Sequence, residues 1–555
     1  MKKLLLILAL SSGFVWAQVG YVKSGHPVYR FLDRMNSQAL LTDYDQYETP
    51  KTRKEIASRL IEISSKINDL SNVDRNRLSD FINEFYFDIY KSEEKYSSFF
   101  SEYDFKHFIN DKEKYLYFYG DSSDANIFVN FKFKTNQLFK NNLITDESQS
   151  ATIFRFGGSV GGSFKDMFGF YVEGINGTFL GDRDLATSFR GLRYNYKINQ
   201  KQDGIGDDYF DETAAYFSAD FDYVKFKIAR DRVNLGYGTV KTILGDNPPV
   251  MDYVSLNLKY KIFSFSFYHG KLLGSTKRIQ IRGAGSVNFV TEKYFVYHRI
   301  HLNISKHFTL GLGETVIYSN RNIDLSYLNP FSFYKSVEHA NQDRDNAALF
   351  VDFTNNSIRG VKFYGTFFID DIDFGKIGTG WYGNKTLLNI GAVSSPFYEY
   401  LPLDLEVQYI MIQPYVYSHR INENNFTNLG YPFVAVIEPN SSNVFAGLNW
   451  YFTSRLNLKT SFFYSLHGEN VVDENGNIVK NVGGDLTIGH RTDDSENVKF
   501  LDGIREYRRA YSMTLTYQPL KNYFISVAFD FVNNSLAGDI REKYIQSSFN
   551  LSLKF

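Results

Sequence analysis

The C-terminal segment of the chain alternates apolar and polar side chains with a period of two. Apolar Phe549, Leu551, Leu553 and Phe555 alternate with the polar residues Ser548, Asn550, Ser552 and Lys554. Successive side chains of a β-strand point to opposite faces, so this segment is predicted to form a strand with one apolar face. The same pattern recurs upstream from about residue 125. Strands of this kind without helices between them predict an antiparallel sheet, which must close on itself in lipid because its edges would otherwise be unpaired.

Eighteen such segments can be counted along the chain. Short turns alternate with long connections, the longest of which lie at 182–211, 320–345, 414–442 and 467–506. An even strand count, short periplasmic turns and long extracellular loops are typical of outer-membrane barrels. We therefore expect an all-β transmembrane antiparallel β-barrel of about 18 strands over residues 113–555. The predicted strands begin near residues 125, 151, 167, 212, 224, 251, 262, 294, 307, 346, 360, 384, 401, 443, 455, 507, 521 and 543.

Aromatic residues are in excess, because the chain contains 52 Phe, 41 Tyr and 3 Trp, together 17% of its residues. A transmembrane barrel places such rings on its lipid face and in girdles at both membrane interfaces, while its lumen stays polar. A soluble all-β protein rich in tyrosine is the alternative interpretation. The recurrent alternation with one apolar face favours the barrel.

The N-terminus has the pattern of a secretory signal peptide. Residues 1–17 contain two lysines, then an apolar run over 4–10, then Val15 and Ala17 ahead of a cleavage point. We expect cleavage near Ala17 and a mature chain that starts near Gln18. No later apolar stretch approaches the roughly 20 residues of a membrane-spanning helix. The chain is therefore predicted to be exported and to reside in the outer membrane as a multi-pass β-barrel.

The last strand is predicted to be the insertion signal of this barrel. Its apolar residues would be presented to the barrel-insertion machinery and would afterwards face outer-membrane lipid. These residues are Phe549, Leu551, Leu553 and Phe555.

Residues 18–112 are predicted to be helical. Val28, Phe31, Leu32 and Met35 follow the spacing of one helix face. Thr52 and Glu55 form a capping-box pattern ahead of a second apolar stripe at Ile56, Leu60, Ile63 and Ile67. A third stripe runs through Leu78, Phe81, Ile82, Phe85 and Ile89. We expect a small bundle on the periplasmic side that either plugs or docks against the barrel.

Charge and cysteine content exclude several kinds of partner and site. The chain has 61 basic and 62 acidic residues, which gives no electrostatic basis for binding nucleic acid. It has no cysteine and therefore no disulfide and no thiolate metal site. Its ten histidines lack ligand spacing, and Asp370, Asp371 and Asp373 fit solvated loop carboxylates better than a calcium site. We predict neither a metal nor a cofactor.

Gly157-Gly-Ser159-Val-Gly161 matches the G-x-S-x-G pattern of a serine nucleophile. That motif requires a strand followed directly by a helix, whereas here it lies within one predicted strand and another strand follows. Glycines in a barrel strand more often permit curvature or close approach. We therefore predict that the protein is not an enzyme.

Charged residues occur on the predicted inner face of several strands. If Val296, Ile300 and Leu302 face lipid, the intervening Arg299 and His301 face the lumen. Such charges either line a water-filled path or pair with one another and hold barrel and plug together. Of these two alternatives, pairing is favoured. The predicted lumen-lining residues are Arg299, His301, Lys459, Arg508 and Asp530.

Several stretches resemble two known families. His26-Pro-Val-Tyr-Arg-Phe-Leu-Asp-Arg, with the Pro50 to Ala57 region, resembles a single S-layer-homology-like repeat. Ala229-Arg-Asp-Arg-Val-Asn-Leu-Gly-Tyr-Gly238, leading to Gly245-Asp-Asn-Pro-Pro249, resembles the capsule-assembly Wzi family of outer-membrane proteins. So do Tyr268-His-Gly-Lys-Leu-Leu273, Leu312-Gly-Glu-Thr-Val-Ile-Tyr318, Tyr327-Leu-Asn-Pro330, Glu338-His339, Asp345-Asn346 and Ile369-Asp-Asp371. The Wzi resemblance implies an 18-stranded barrel with a periplasmic helical bundle that helps attach capsular polysaccharide to the cell surface.

Recognition of a polysaccharide is expected to use aromatic rings that stack on sugars beside planar Arg donors. The predicted outer loops supply both kinds of residue, although their tyrosines would also fit an interface girdle. Together with the resemblance, this predicts a non-enzymatic barrel that binds or assembles surface polysaccharide. The alternatives are a carbohydrate or nutrient porin and, more distantly, a barrel enzyme. The predicted binding residues are Tyr318, Arg321, Tyr327, Tyr334, Arg344, Tyr415, Tyr417 and Arg420.

Overall fold

The computed structural model describes residues 19–121, 125–189, 192–195, 198, 208–245, 248–283, 285–434 and 437–555. The predicted signal peptide over 1–17 lies outside the described residues. No helix in the described part of the chain is long and apolar enough to cross a membrane.

Eighteen antiparallel strands form a closed barrel, because the last strand pairs with both the preceding strand and the first. The predicted fold class and strand count are confirmed. The barrel strands are β1 (Ala125–Asn142), β2 (Ser148–Phe164), β3 (Phe168–Gly181), β4 (Tyr209–Asp220), β5 (Val224–Asp231), β6 (Met251–Tyr260), β7 (Phe263–Ile281), β8 (Gly285–Ser305), β9 (Phe308–Ser319), β10 (Asn346–Ile358), β11 (Val361–Asp371), β12 (Lys385–Ser394), β13 (Leu403–Ile412), β14 (Ser441–Tyr451), β15 (Leu456–Glu469), β16 (Ile504–Tyr517), β17 (Tyr523–Leu536) and β18 (Asp539–Lys554).

The predicted strand starts lie within a few residues of the observed ones, except for β8. That strand begins at Gly285, whereas the alternation predicted a start near 294. The difference arises because β7 and β8 continue as a two-stranded hairpin beyond the end of β9, with Ile279 paired to Val287. Both faces of that hairpin are largely exposed, and its apolar alternation is short, at Ile279 and Ile281 on β7 and at Val287 and Phe289 on β8.

The barrel wall is apolar on its outside. Outward side chains such as Ile300, Leu312, Phe363 and Met513 are exposed, while their sequence neighbours face the interior. This arrangement follows from the period of two and suits a surface that contacts lipid. On β18, Phe549, Leu551 and Leu553 belong to the outward set, in register with outward residues of β17. Phe555 follows the end of β18 and exchanges backbone hydrogen bonds with Phe131.

Short connections gather at one end of the barrel and long ones at the other. The short-turn end carries the turns after β2, β4, β6, β8, β10, β12, β14 and β16. The long-loop end carries, among others, the connections 182–208, 232–250, 320–345, 372–384, 413–440 and 470–503. The long-loop end also carries short turns after β1, β7 and β17. Consecutive connections lie at opposite ends of the barrel because neighbouring strands are antiparallel.

The described segment before the barrel is mainly helical and has its own apolar core. Thr52 Oγ1 accepts from the Glu55 backbone N–H at 3.2 Å, so the predicted cap of the second helix is present. Phe31, Leu32, Ile56 and Leu60 are fully buried in this core. The described helices are α1 (Pro27–Ser37), α2 (Arg53–Ser64), α3 (Asn72–Glu84), α4 (Tyr86–Tyr90), α5 (Phe99–Glu102) and, in the barrel loops, α6 (Arg183–Ser188), α7 (Leu325–Leu328) and α8 (Tyr334–Ala340), with 3-10 turns at Ile67–Asp69, Phe105–Phe108, Leu192–Tyr194, Phe374–Lys376 and Asn422–Asn424.

Short strand pairs complete the described secondary structure. Tyr117–Gly120 extends the wall by pairing with the first part of β1. The remaining pairs are Tyr21–Val22 with Lys51–Thr52, Glu48–Thr49 with Asn234–Leu235, Tyr96–Ser98 with Glu113–Tyr115, Thr427–Asn428 with Tyr431–Pro432, and Val471–Val472 with Ile478–Lys480.

The helical segment covers the short-turn end of the barrel. Its contacts reach turns that are spread around the ring rather than on one side of it. Lys91 pairs with Asp166 at 2.8 Å, and Lys54 pairs with Asp222 at 3.3 Å. The Gly360 backbone N–H donates to the Ser37 carbonyl at 2.8 Å, and Lys521 pairs with Asp80 at 3.2 Å. Because its contacts are spread around the ring, the helical segment is fixed relative to the strands.

Candidate functional site

The centre of the lumen is filled by two chain segments that enter from opposite ends. Residues 40–52 enter from the helical segment, and residues 232–245, here called the inner loop, enter from the long-loop end. They pair through Glu48–Thr49 and Asn234–Leu235, and the Gly236 backbone N–H donates to the Tyr47 carbonyl at 2.9 Å. Gly238, with φ +79, lies so close to the wall that a Cβ would come within 2.7 Å of the Tyr364 hydroxyl.

Buried charges lock these segments to the wall. Arg299 is fully buried and donates from Nε and Nη2 to the two carboxylate oxygens of Asp352, both at 2.8 Å. Its Nη1 donates to Asp45 Oδ2 at 2.5 Å. The guanidinium also lies over the Tyr47 ring, 4.1 Å from its centroid, and His301 lies 3.6 Å from Asp45. We call residues 40–52 and the inner loop the plug segments. Two of the five predicted lumen-lining residues, Arg299 and His301, lie against them.

The electrostatics of Asp45 follow from this arrangement. Burial alone would raise the pKa of its carboxyl, but the Arg299 guanidinium beside it holds that pKa well below its usual range. Asp45 thus remains ionised through neutral and mildly acidic conditions. A buried pair of opposite charges with further hydrogen bonds is the arrangement that such a site requires.

The other three predicted lumen residues lie on a different part of the wall. Lys459 on β15, Arg508 on β16 and Asp530 on β17 all face inward and are only half-buried. Asp530 is in register with Ser512 on one side and Gln546 on the other, so this stretch of wall is polar across several strands. We call the inward surface of β15–β18 the half-open wall.

The loop 320–345 does not project from the barrel but folds back over the outside of its wall. Arg299 faces the lumen, so His298 beside it faces outward, as does Glu314 in register with it. Both are nevertheless covered, because the Glu314 carboxylate accepts from the backbone N–H groups of Tyr334 and Lys335 at 2.9 and 3.1 Å. We call residues 320–345 the outer clasp.

Three predicted sugar-stacking tyrosines hold this outer clasp in place. Tyr318, Tyr327 and Tyr334 are fully buried, and the Tyr318 and Tyr327 rings stack at 5.3 Å. The Tyr327 hydroxyl donates to Asp345 at 2.8 Å. Arg321 also pairs with Asp345, at 2.7 Å. These side chains are therefore engaged within the outer clasp in the described structure.

The other two predicted tyrosines are buried at the long-loop end. Tyr415 and Tyr417 are both fully buried. The Tyr417 hydroxyl donates to the Thr242 carbonyl at 2.6 Å, so this ring fixes the inner loop. Neither ring is accessible to a sugar in the described structure, because aromatic residues in these loops build the closure of the barrel.

Two predicted arginines remain exposed. Arg344 and Arg420 lie at the junction of the loops 320–345 and 413–440. Arg420 Nη2 donates to the Asp343 carbonyl at 2.6 Å, and the Asn424 side chain donates to the Arg344 carbonyl at 2.8 Å. The Arg420 guanidinium and the backbone at Arg344 are thereby brought together on the rim of the long-loop end.

A group of rings that the sequence did not indicate lies in the loops 372–384 and 470–503. Tyr382 stacks on His490 with centroids 3.5 Å apart, and Trp381 lies 5.5 Å from Tyr382. Lys376 Nζ lies 4.0 Å from the centre of the Trp381 ring. We call Trp381, Tyr382 and His490 the aromatic platform. His490 lies more than 100 positions after Trp381 and Tyr382 in the chain, so no local pattern pointed to this group.

The remaining candidate motifs have structural roles. Gly157 to Gly161 lies inside β2, where no strand-to-helix turn exposes Ser159. Asp370 accepts from the Tyr417 backbone N–H at 2.8 Å, and Asp373 accepts from the Gly375 backbone N–H at 2.9 Å. The Asp370 carboxylate thus holds the connection 413–440, whereas Asp373 stabilises a local turn.

Comparisons with known proteins agree with the fold. A solved structure of Wzi, an outer-membrane protein involved in group 1 capsule assembly in Escherichia coli and a carbohydrate-binding β-barrel, matches with a TM-score of 0.56 at 11% identity, covering 97% of this chain and 99% of that one. The structures of Acinetobacter baumannii OccAB2 and Pseudomonas aeruginosa OccK9 (OpdG) match at 10% and 11% identity, each with a TM-score of 0.45, covering 77% of this chain and 98% of theirs. No family model and no curated protein matches the chain. The barrel architecture that the resemblance implied is thus confirmed.

Proposed function

We propose that the protein is a non-enzymatic outer-membrane barrel that binds a capsular-type surface polysaccharide at its long-loop end. The observation that carries this proposal is the filled centre of the lumen. Residues 40–52 and the inner loop meet there and are locked by Arg299, Asp45 and Asp352. A barrel closed from both ends is better suited to present a surface than to pass large solutes.

The rim of the long-loop end offers suitable chemistry for a polysaccharide. Arg344 and Arg420 supply planar donors for hydroxyl and carboxylate groups, and the aromatic platform supplies rings for the apolar faces of sugars. The fold similarity to a carbohydrate-binding barrel supports the same class of ligand. The buried tyrosines act indirectly, because they fix the loops that carry these groups.

The test is retention of polymer by cells. A strain without the protein is expected to synthesise the polysaccharide but to release it into the medium. Replacing Arg344, Arg420 and Trp381 together by alanine should weaken retention well over tenfold, since each contact is worth on the order of 1–2 kcal/mol. Arg359→Ala is the matched control, because this exposed arginine lies at the short-turn end. Wild-type retention by the triple variant would exclude these residues as the site.

The half-open wall favours a second candidate, a narrow channel for small polar solutes. Its inward side chains on β15–β18 are polar and half-buried along most of their length. Conductance of the purified protein in a planar bilayer separates the two candidates. A polysaccharide-binding barrel should give little or no steady current, whereas a porin should give steady currents and its deletion should impair nutrient uptake.

A further inference from the structure

The outer clasp is held against the barrel by its polar groups. The Glu314 carboxylate binds the first N–H groups of α8, and His298 Nε2 lies 2.8 Å from the same carboxylate. Arg321 is engaged by Asp345, whose side chain is completely buried. Charged and hydrogen-bonding groups therefore lie between the outer clasp and the wall, where they satisfy one another.

The opposite side of the outer clasp exposes four large apolar side chains, together with the uncharged polar residues Asn322, Asn329 and Ser336. Ile323, Leu325, Phe331 and Phe333 are exposed by 53%, 77%, 68% and 57%. A loop in water would place such side chains inward and its charged groups outward. An element with its charges inside and four large apolar side chains outside matches a lipid environment instead.

The position of Phe331 along the wall supports the same environment. Its ring stacks on Phe265, with centroids 5.2 Å apart. Phe265 is in register with Ile300, which is in register with Leu312, and Leu312 is 54% exposed on the outer face. Phe331 therefore lies level with the apolar outer surface of the barrel. The polar residues Gln342, Asp343 and Arg344 lie at the other end of the outer clasp, towards the rim.

We propose that the outer clasp is a lipid-binding surface, with Ile323, Leu325, Phe331 and Phe333 immersed among the acyl chains of the membrane leaflet at the long-loop end. The occupant is lipid rather than a second protein, because the apolar side chains continue the lipid-facing surface of β8 and β9 at the same level. The clasp also shields the His298 ring and the Glu314 carboxylate, which would otherwise present polar groups to hydrocarbon at considerable cost.

Fluorescence quenching in reconstituted vesicles tests this proposal. The background variant carries Trp381→Phe and Trp450→Phe, and the third tryptophan, Trp16, lies in the predicted signal peptide. Phe331→Trp is the probe and Phe374→Trp, in the loop 372–384, is the matched control at a 77% exposed ring. Phosphatidylcholine with brominated acyl chains should remove most of the emission of the Phe331→Trp protein. Acrylamide in the aqueous phase should instead quench the Phe374→Trp protein.

Two results would overturn the proposal. Quenching of the Phe331→Trp protein by acrylamide, and not by brominated chains, would place the outer clasp in water. Protection from both quenchers, together with a dimer mass by light scattering, would make a second copy the occupant. Phe333→Trp provides an independent probe if Phe331→Trp fails to fold, which heat-modifiable migration on a gel reports.

Discussion

Two stretches of the same barrel wall bury their inward side chains to different extents. Between β6 and β13 the inward residues are almost all buried against the plug, as Arg299, Asp352, Tyr364 and Gln408 show. Along β15–β18 they are half-buried and remain in contact with interior space. Both stretches have the same outer face, so the difference comes from what the chain places inside.

This difference determines what a charge on the inner face does. On the filled wall a charge loses its hydration and must be paired, as Arg299 is by Asp45 and Asp352. On the half-open wall Lys459, Arg508 and Asp530 keep part of their hydration and shape the potential of the space beside them. A charge on the inner face is thus fully buried in one part of the wall and half-buried in the other.

Removing both plug segments should abolish the difference between the walls. Deletion of residues 19–112 should raise planar-bilayer conductance only modestly, because the inner loop stays in the lumen through Tyr417 and Thr242. Deleting the same residues and also replacing 236–243 by a short Gly-Ser linker should give large, steady currents. Equal conductance of the single and double variants would show that the inner loop does not obstruct the lumen.

Equivalent substitutions on the two walls should differ in their cost to stability. Arg299→Gln leaves Asp45 and Asp352 buried without their partner, so the free energy of unfolding should fall by about 3–5 kcal/mol. Arg508→Gln should change it by no more than about 0.5 kcal/mol. Urea unfolding in detergent, followed by tryptophan fluorescence, measures both. Similar losses for the two variants would contradict the contrast.

The pH dependence of the Arg299→Gln loss has a definite sign. The pKa of Asp45 is lowered in the folded protein, so its stabilising contribution is present above the ordinary carboxyl pKa. It is lost only as the pH falls through the lowered value. In the variant, burial is no longer offset by Arg299, so the pKa of the Asp45 carboxyl rises and the folded variant takes up a proton as the pH falls. The loss measured at about pH 5 should therefore be smaller than that at about pH 7.

The smallest expected effect concerns ion selectivity along the half-open wall. Replacing Lys459 and Arg508 together by glutamine should shift the reversal potential of any residual current towards cations, because two positive charges leave a wall that retains Asp530. Arg509→Gln is the matched control, since this exposed arginine faces the other side of β16. An unchanged reversal potential in the double variant would remove these residues from the conducting path.

The wall was predictable from sequence because its pattern is local. Alternation along each strand and the alternation of short and long connections fixed eighteen strands to within a few residues, apart from the hairpin at the start of β8. The helices 27–37, 53–64 and 72–84 were equally local, since caps and apolar stripes mark them. The contacts that fill the lumen are not local, because the inner loop turns inward to bind Tyr47, Glu406 and Gln408, which are far away in the chain.

The candidate site was only partly predictable for the same reason. An exposed and a buried tyrosine in a long loop look alike in sequence, and Tyr318, Tyr327, Tyr334, Tyr415 and Tyr417 all proved to be buried. Arg344 and Arg420 were accessible as expected, because a guanidinium seldom loses its water without a carboxylate partner. Trp381 and His490 meet only after two distant loops fold together.

The first barrel strand is shared between the two ends of the chain. Residues 132–142 of β1 pair with β18, whereas residues 126–129 pair with Tyr117–Gly120. Phe555 lies between these partners, exchanging backbone hydrogen bonds with Phe131 at 2.7 and 3.0 Å. A peptide tag fused after Phe555 therefore has no free strand edge to continue along and must either turn away or displace Tyr117–Gly120. Displacement of Tyr117–Gly120 would loosen the connection between the helical segment and the wall. A peptide tag is therefore better placed in the hairpin loop around Gly283 and Gly285.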